Sequence, residues 1–585
     1  MKNKVNNKNN ENDILNKKRH SLTHILAMAV KMFYPQAKLG IGPIIENGFY
    51  YDFDFPENVK ITPQDLQKIE KEMKKIIKRN IKFERKMISR KEAEELLKDE
   101  PYKLELLREI EGDKISFYKS GDFIDLCKGG HIENTNQIDP ESFKLHKIAG
   151  AYWRGDEKNK MLTRIYGIAF NTKKELDEYF EKLKEAEKRD HTKLAKDMDL
   201  YHIDYLCGPG LPLWHPKGAI LRKTIEKYLT DLNLSYGYLP VITPHIAQTD
   251  LWKQSGHLDF YRENMYPVMK LDEKEYIAKP MSCPLHILIY KSHIRSYKDL
   301  PIRYFENATV YRYEKSGVLH GLTRVRMVTQ DDGHIFVNEE NLGKEIERIL
   351  RQVKTVLKDF KIKDYYVTLS TKPEKYIGSD KIWEKAENVL LWAIKRGKFN
   401  YEIAKGEGAF YGPKIDLHIK DALGRLWQCS TLQVDFNLPE KLNVEYIDKK
   451  GNRKKVIMLH RALIGAFERF IGVLLEYHKG VLPLWVAPVQ LWIVPVGSKH
   501  KKYAKEVYKK AKELGIKAEL KDENGTIGKK IRNSIVEKIP YVAVIGDKEL
   551  KNKSVRIREI TKGDLGEVKV KKFLDDILSK IENKK

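Results

Sequence analysis

A chain of 585 residues exceeds what one hydrophobic core can hold and should divide into roughly three to five domains. Hydrophobic residues make up 41%, and 109 Lys+Arg against 83 Asp+Glu leave a formal charge of +26; this suits a nucleic-acid partner, though a merely Lys-rich surface gives the same excess. Four scattered cysteines without a CxxC exclude a disulfide framework and fit a reducing cytoplasm, while the polar start "MKNKVNNKNNENDIL" and the lack of any ~20-residue apolar stretch exclude a signal peptide and a membrane span.

Residues 1–13 are Asn/Lys-rich, the composition of a disordered tail. "HSLTHILAMAVKMF" then has helical periodicity, and "GPIIENGFYYDFDF" alternates like a strand. Residues 62–80 and 90–112 are charged and helical, and 173–203 reads as one long amphipathic connector helix with Glu and Lys at i,i+4 spacing. "GPGLPLWHPKGA" (208–219) opens a region where strand candidates such as "RYFENATVYRYE", "RVRMVTQDDGHIFV" and "LWQCSTLQVDF" mix with helices, an α+β pattern with a mainly antiparallel sheet. From about 486 strands and helices alternate as in a compact α/β domain. The expected boundaries are 14–195 with the connector, 196–485 and 486–585.

Three constellations carry chemistry. Arg312 and Glu314 alternate on one strand, and Gln330, Asp332 and His334 on the next, so five polar groups face one way and should line a cleft. Downstream, Gly465 and Arg469 are placed in an otherwise apolar helix, where a guanidinium requires an anion such as a nucleotide phosphate. The third constellation is a pair of Cys/His sets: His20, His24, Cys127 and His131, and Cys283, His334 and His460. Each offers zinc-type ligands, and each could equally be a buried cysteine beside ordinary histidines. His20 and His24 share a helix face, whereas "CKGGH", with two internal glycines, belongs on a strand–loop.

"GYLPVITPHI", "ATVYRYEKSG…TRVRMVTQDDGHIF" and "GAFERF" resemble the three signature motifs of class II aminoacyl-tRNA synthetases, the first ending in Pro244 at a homodimer interface. With "KPMSCP", "GEGAFYGPKID" and "MLHRALIGAFERF" added, the resemblance narrows to the threonyl-tRNA synthetase family, of bacterial type, and runs from about residue 18 to the end. It implies a multidomain α+β fold: an antiparallel-sheet catalytic core, an N-terminal editing domain and a C-terminal anticodon-binding domain.

It also implies the chemistry. Arg312 and Arg469 would hold ATP phosphates, bridged by Mg2+, and Glu314 the adenine edge. Gln330, Asp332, Lys414 and Gln428 would complete the reacting centre, His257 would assist transfer to tRNA(Thr), and Asp332, Gln330, Tyr411 and Gln433 would contact L-threonine. Cys283, His334 and His460 would hold one Zn2+, leaving a position for the substrate's amino and hydroxyl groups. Such a site rejects valine but not serine, whose missing methyl is worth only about 1–3 kcal/mol. Hydrolysis of seryl-tRNA is therefore expected at His20, His24, Cys127 and His131, with Lys103 and Asp125. Four such ligands favour zinc on chemistry alone, while the resemblance implies metal-free hydrolysis by a water that His and Lys activate.

In the last domain Glu549 and Arg558 would read anticodon bases, and Lys529, Lys530 and Arg532 would hold phosphates. Two departures stand out: polar residues where bacterial relatives carry a ubiquitin-like domain, and Ser430 where glycine is expected, its hydroxyl beside the nucleotide and threonine pocket. A tRNA deacylase with an inert synthetase body and a non-enzymatic RNA-binding regulator are the competing readings.

Overall fold

The structure, a computed structural model, describes residues 2–421 and 424–584, with side chains from residue 12 onward. It separates into two units, Met1–Lys184 and Glu185–Lys585. No helix among the described residues is long and apolar enough to cross a membrane.

The first unit opens with the helix Lys2–Phe33. Helical backbone thus runs through the segment expected to be disordered, because a helix nucleated by buried turns gains one hydrogen bond per added residue. Its face of Leu22, Ile25, Leu26, Ala29 and Val30 is buried against Phe49, Tyr51 and Phe53, the inward residues of strand Gly48–Asp54. That strand pairs antiparallel with Met161–Ala169, which pairs with Phe143–Tyr152. A second sheet joins Phe83–Ser89, Lys114–Ser120 and Phe123–Leu126. The helical stretch expected over 90–112 is two helices, Arg90–Leu96 and Pro101–Arg108; proline fits the first turn of a new helix, not the interior of an old one.

The connector is also broken. It ends at Arg189, and Asp190 caps a separate helix, His191–Asp197, by accepting from the Thr192 and Lys193 amides. In the second unit an eight-stranded sheet has the order 239–240, 302–311, 327–337, 457–466, 426–435, 414–420, 365–370, 401–404, antiparallel except for its two outer pairs. Register places Tyr304, His334, His460, Gln433 and Lys414 in one row across five strands, with Glu306, Asp332, Ala462, Thr431 and Asp416 in the next. Side chains two apart share a face, so both rows present their groups to one side of the sheet.

Between these rows and Gln330 the pairing shifts: Asp332 opposes Ala462 but Gln330 opposes Ala466. Strand Ile457–Ala466 therefore bulges, and Gly465 sits there at φ 73°, where a Cβ would lie 2.4 Å from the Cys429 carbonyl. Gly465 is thus not in the helix predicted for it; that helix, Phe467–Tyr477, starts two residues later. Buried Asp331, on the far face, accepts from the amides of Leu463, Ile464 and Gly465 and pairs with Arg461, so the bulge keeps its backbone donors satisfied.

The C-terminal part of this unit has its own core under a five-stranded sheet ordered 518–520, 491–495, 541–545, 554–559, 563–569. Its first two pairings are parallel and the last two antiparallel.

Candidate functional site

Strand Met327–Val337 carries three of the candidate site groups, Gln330, Asp332 and His334, in sequence. Gln330 lines an open cleft together with Arg312, Glu314, Thr323, Gln428 and Arg469. Arg312 and Glu314 are not on a strand as expected; strand Ile302–Tyr311 ends just before them, and they turn into the cleft. Arg469, one turn into its helix, donates Nε to the Thr323 carbonyl (3.1 Å) and Nη1 to the Gln428 carbonyl (3.2 Å). Burial pushes its pKa down, and the charges of Arg312 and Arg324 push the same way. Three guanidiniums around one carboxylate, Glu314, which Arg324 already pairs at 3.1 Å, leave the cleft in need of an anion.

Two residues along the strand is Asp332, whose pKa burial raises, and two further is His334. Helix Cys283–Lys291 brings Cys283 against the sheet, and the ligand atoms of Cys283, His334 and His460 lie within 4.8 Å of one another. His334 Nε2 and His460 Nδ1 are 3.1 Å apart. Behind them the hydrogen-bond partners order the protons of singly protonated imidazoles. Burial pushes Glu306 up, but His286, the Thr243 amide and Lys279 outweigh it and hold its pKa at about 2, so it is anionic. His286 Nε2, 3.2 Å from Glu306, must then donate to it. His286 Nδ1 is left to accept from His334 Nδ1 at 2.8 Å, which frees the His334 Nε2 lone pair. His460 Nε2 donates to Asp435 at 2.9 Å, which frees Nδ1. Two imidazole lone pairs and a thiol thus converge, each histidine backed by a carboxylate directly or through one relay, which is how metal-ligating histidines are oriented. The donor set fits zinc with one position open.

Around this point stand Tyr411, whose hydroxyl donates to Gln433, and Lys414, whose ammonium is 2.7 Å from Asp416. Gln428 and Thr431 also donate to Asp416, at 2.7 and 2.8 Å. Ser430 opposes Leu417 on the far face, and a second register shift, between Leu417 and His418, puts the extra residue at Cys429 and so returns Gln428 to the site face. Its hydroxyl is buried and bonded to the Leu463 carbonyl rather than set beside the pocket as expected. His257 begins a short helix, fully buried, with Nδ1 2.8 Å from Ser255 Oγ and Nε2 3.7 Å from Cys283 Sγ. Burial lowers its pKa to about 4, so it is neutral.

In the first unit His20 and His24 do share a helix face, and Cys127 and His131 lie on the loop after strand Phe123–Leu126, with Gly129 and Gly130 at φ 110° and 94°. All four ligand atoms fall within 4.8 Å. Cys127 Sγ is 3.2 Å from His131 Nε2 and 3.5 Å from His20 Nε2, and the His20 and His131 rings stack at 4.1 Å. Burial lowers the pKa of His20, of His24 and of His131 (to about 2), and raises that of Cys127 to about 11. The cluster is uncharged at neutral pH. Behind it stands Ser21 rather than a carboxylate: its Oγ is 3.2 Å from His131 Nδ1, accepts from the Ile132 amide and donates to the Lys17 carbonyl. Asp125 is spent elsewhere, on Lys103 (2.7 Å) and the Tyr51 hydroxyl (2.7 Å).

In the C-terminal domain Lys529 and Arg532 are exposed. Lys530 is buried and donates to the Lys521 carbonyl, so it is not the phosphate-holding group expected. Glu549 accepts from the Gly546 amide, capping its own helix, and Arg558 is half-buried on strand Ser554–Glu559.

Three family models match: "tRNA synthetase class II core domain (G, H, P, S and T)" over residues 266–478, "Anticodon binding domain" over 490–580, and "Threonyl and Alanyl tRNA synthetase second additional domain" over 115–166. The threonine–tRNA ligase of Caldanaerobacter subterraneus subsp. tengcongensis is 49% identical over 97% of this chain and 87% of its own. That of Aquifex aeolicus is 49% identical over 97% and 89%. Among solved structures, the RNA binding domain of threonyl-tRNA synthetase from Cryptosporidium parvum superposes with a TM-score of 0.63 at 35% identity, covering 67% of this chain and 98% of that one.

Proposed function

We propose, for a chain that belongs to the threonine–tRNA ligase family, that it activates L-threonine with ATP, charges tRNA(Thr) and hydrolyses seryl-tRNA(Thr) made in error. The observation that carries this reading is one strand, Met327–Val337, whose Gln330 faces the cationic cleft, whose His334 joins the Cys283/His460 cluster, and whose Asp332 stands between them. A threonine held by its amino and hydroxyl groups at the cluster would point its carboxylate along this strand towards ATP.

A carboxylate oxygen attacks the α-phosphorus, the bond to the bridging oxygen breaks, and pyrophosphate leaves with that electron pair. Arg312 and Arg469 neutralise the phosphates, with Mg2+ accompanying the nucleotide. Zinc held by Cys283, His334 and His460 would supply a Lewis-acid position that only an amine and hydroxyl together fill. Asp332 accepts from the substrate hydroxyl, while Tyr411, Gln433 and Lys414 close the pocket and Gln428 holds its neighbour Asp416. Positioning and charge neutralisation supply most of the rate. Neutral His257 stands ready to receive the proton of the attacking tRNA hydroxyl.

Valine leaves a polar position unfilled and is rejected, whereas serine passes and must be removed afterwards. The His20/His24/Cys127/His131 cluster serves that hydrolysis through a water that its neutral imidazoles and Lys103 polarise. Glu549, Arg558, Lys529 and Arg532 are the anticodon-side contacts. Exposed Leu239 (55%) and Ile242 (92%), in the first signature motif, support a homodimer.

The test is amino-acid-dependent ATP–pyrophosphate exchange with zinc-loaded protein. Strong exchange with threonine, weaker with serine and none with valine is expected. Silence with all three would overturn the ligase reading in favour of a deacylase.

A further inference from the structure

We propose that His191 is a positioning residue of the nucleotide site, holding the Leu322–Thr323 wall of the cleft against the helix that carries Arg469. The proposal rests on the reading of that cleft as the ATP site.

His191 immediately follows the connector and its cap, and its side chain is completely buried. Its Nδ1 is 2.7 Å from Glu476 Oε1, which also receives the His191 amide at 3.3 Å. Its Nε2 accepts from the Leu322 amide at 3.0 Å. An amide can only donate, so Nε2 carries no proton, and Nδ1–H donates to Glu476. Both ring nitrogens are thereby committed. This is why the grouping of Asp190, His191 and His320, although within 4.8 Å, offers no metal site.

The two partners, the Leu322 amide and Glu476, belong to separate elements beside the cleft. Leu322 and Thr323 form its wall, on the loop between the two signature strands. Glu476 is on helix Phe467–Tyr477, the helix of Arg469. Thr323 closes the circuit by accepting from Arg469 Nε at 3.1 Å. Two glycines make room for the ring. A Cβ on Gly321, at φ 45°, would lie 2.2 Å from His191 Nε2, and one on Gly472 would lie 3.2 Å from His191 Cδ2 and 3.3 Å from Thr323. The imidazole is a spacer with two directed bonds: it fixes how far the loop stands from the phosphate-binding helix, and so the opening that the nucleotide enters.

Such a residue should act on the nucleotide and not on the amino acid. In threonine-dependent ATP–pyrophosphate exchange with the full chain, His191→Ala should raise KM for ATP about tenfold, the loss of a buried hydrogen bond and its packing, with KM for threonine within twofold of the parent. His191→Gln, whose amide oxygen can still accept from the Leu322 amide, should recover part of the loss. If His191→Ala does not fold, Gly472→Ala crowds the same ring while removing no hydrogen-bonding group and should raise KM for ATP about threefold. KM for ATP unchanged, or rising in step with KM for threonine, would overturn the proposal. Absence of exchange in the parent protein would instead remove the ATP-site reading itself.

Discussion

The two Cys/His clusters use the same kinds of donor, each set within 4.8 Å, yet their surroundings differ. At Cys283/His334/His460 every imidazole hands its second nitrogen to a chain that ends in a carboxylate, Glu306 or Asp435. At His20/His24/Cys127/His131 the rings pack on one another, His131 leans on a serine hydroxyl, and His24 Nδ1 is buried with no partner. The nearest carboxylate, Asp125, is neutralised by Lys103. The donor list alone does not specify a metal centre; the groups behind the donors decide whether lone pairs are aimed and held. The first arrangement suits the cation proposed for it, the second the neutral bases proposed to act on water.

The largest effect expected from that contrast is at Cys283. Cys283→Ser should abolish stoichiometric zinc by elemental analysis and lower threonine-dependent exchange by roughly 10³-fold, about 4 kcal/mol. Cys127→Ser should leave both unchanged, and a second zinc per chain lost with Cys127 would break the comparison. Next, His20→Ala should slow hydrolysis of seryl-tRNA(Thr) by on the order of 10²-fold, within the range for a lost general base, with exchange unaltered.

The relay sharpens the contrast further. His286→Leu should weaken zinc binding about 10–100-fold in competition with a chelator. Glu306→Gln should weaken it less, because an amide oxygen still accepts from His286. The smallest effect concerns pH. His20, His24 and His131 have folded pKa values below the usual ~6.5, so between pH 6.5 and acid the unfolded chain binds protons that the folded one does not. Their contribution is full above pH 6.5 and is lost as pH falls. Thermal melts from pH 8 to 5 should show a Tm drop that His131→Gln reduces.

Much of this was legible before any coordinates. Alternation placed Asp332 and His334 on one face, and helical spacing paired His20 with His24, because both are local periodicities. The candidate ligand sets and the arginines proposed for ATP rest on family motifs. What escaped were groups that meet only through tertiary packing: His286 and Glu306 stand behind His334, and Asp435 behind His460, and their sequence positions carry no spacing signal. A clue existed in "YFENATV", where a carboxylate interrupts an apolar strand in phase with Tyr304. His191 was hidden inside a helix drawn too long, since Glu/Lys periodicity does not reveal a capping aspartate. Ser430 is close to Gln428 in sequence but lies on the other face, because the bulge at Cys429 stands between them and nearness in sequence does not reveal an extra residue.

The row of Tyr304, His334, His460, Gln433 and Lys414 has a consequence for how this protein fails. Its members are brought together by backbone register alone, and a slip of one residue between two of the strands would turn every side chain of the slipped strand to the opposite face. The proposed metal ligands His334 and His460 and the proposed pocket groups Gln433 and Lys414 depend on the same register. A population of damaged molecules should therefore be a mixture of fully competent and wholly silent ones, with no crop of sluggish intermediates.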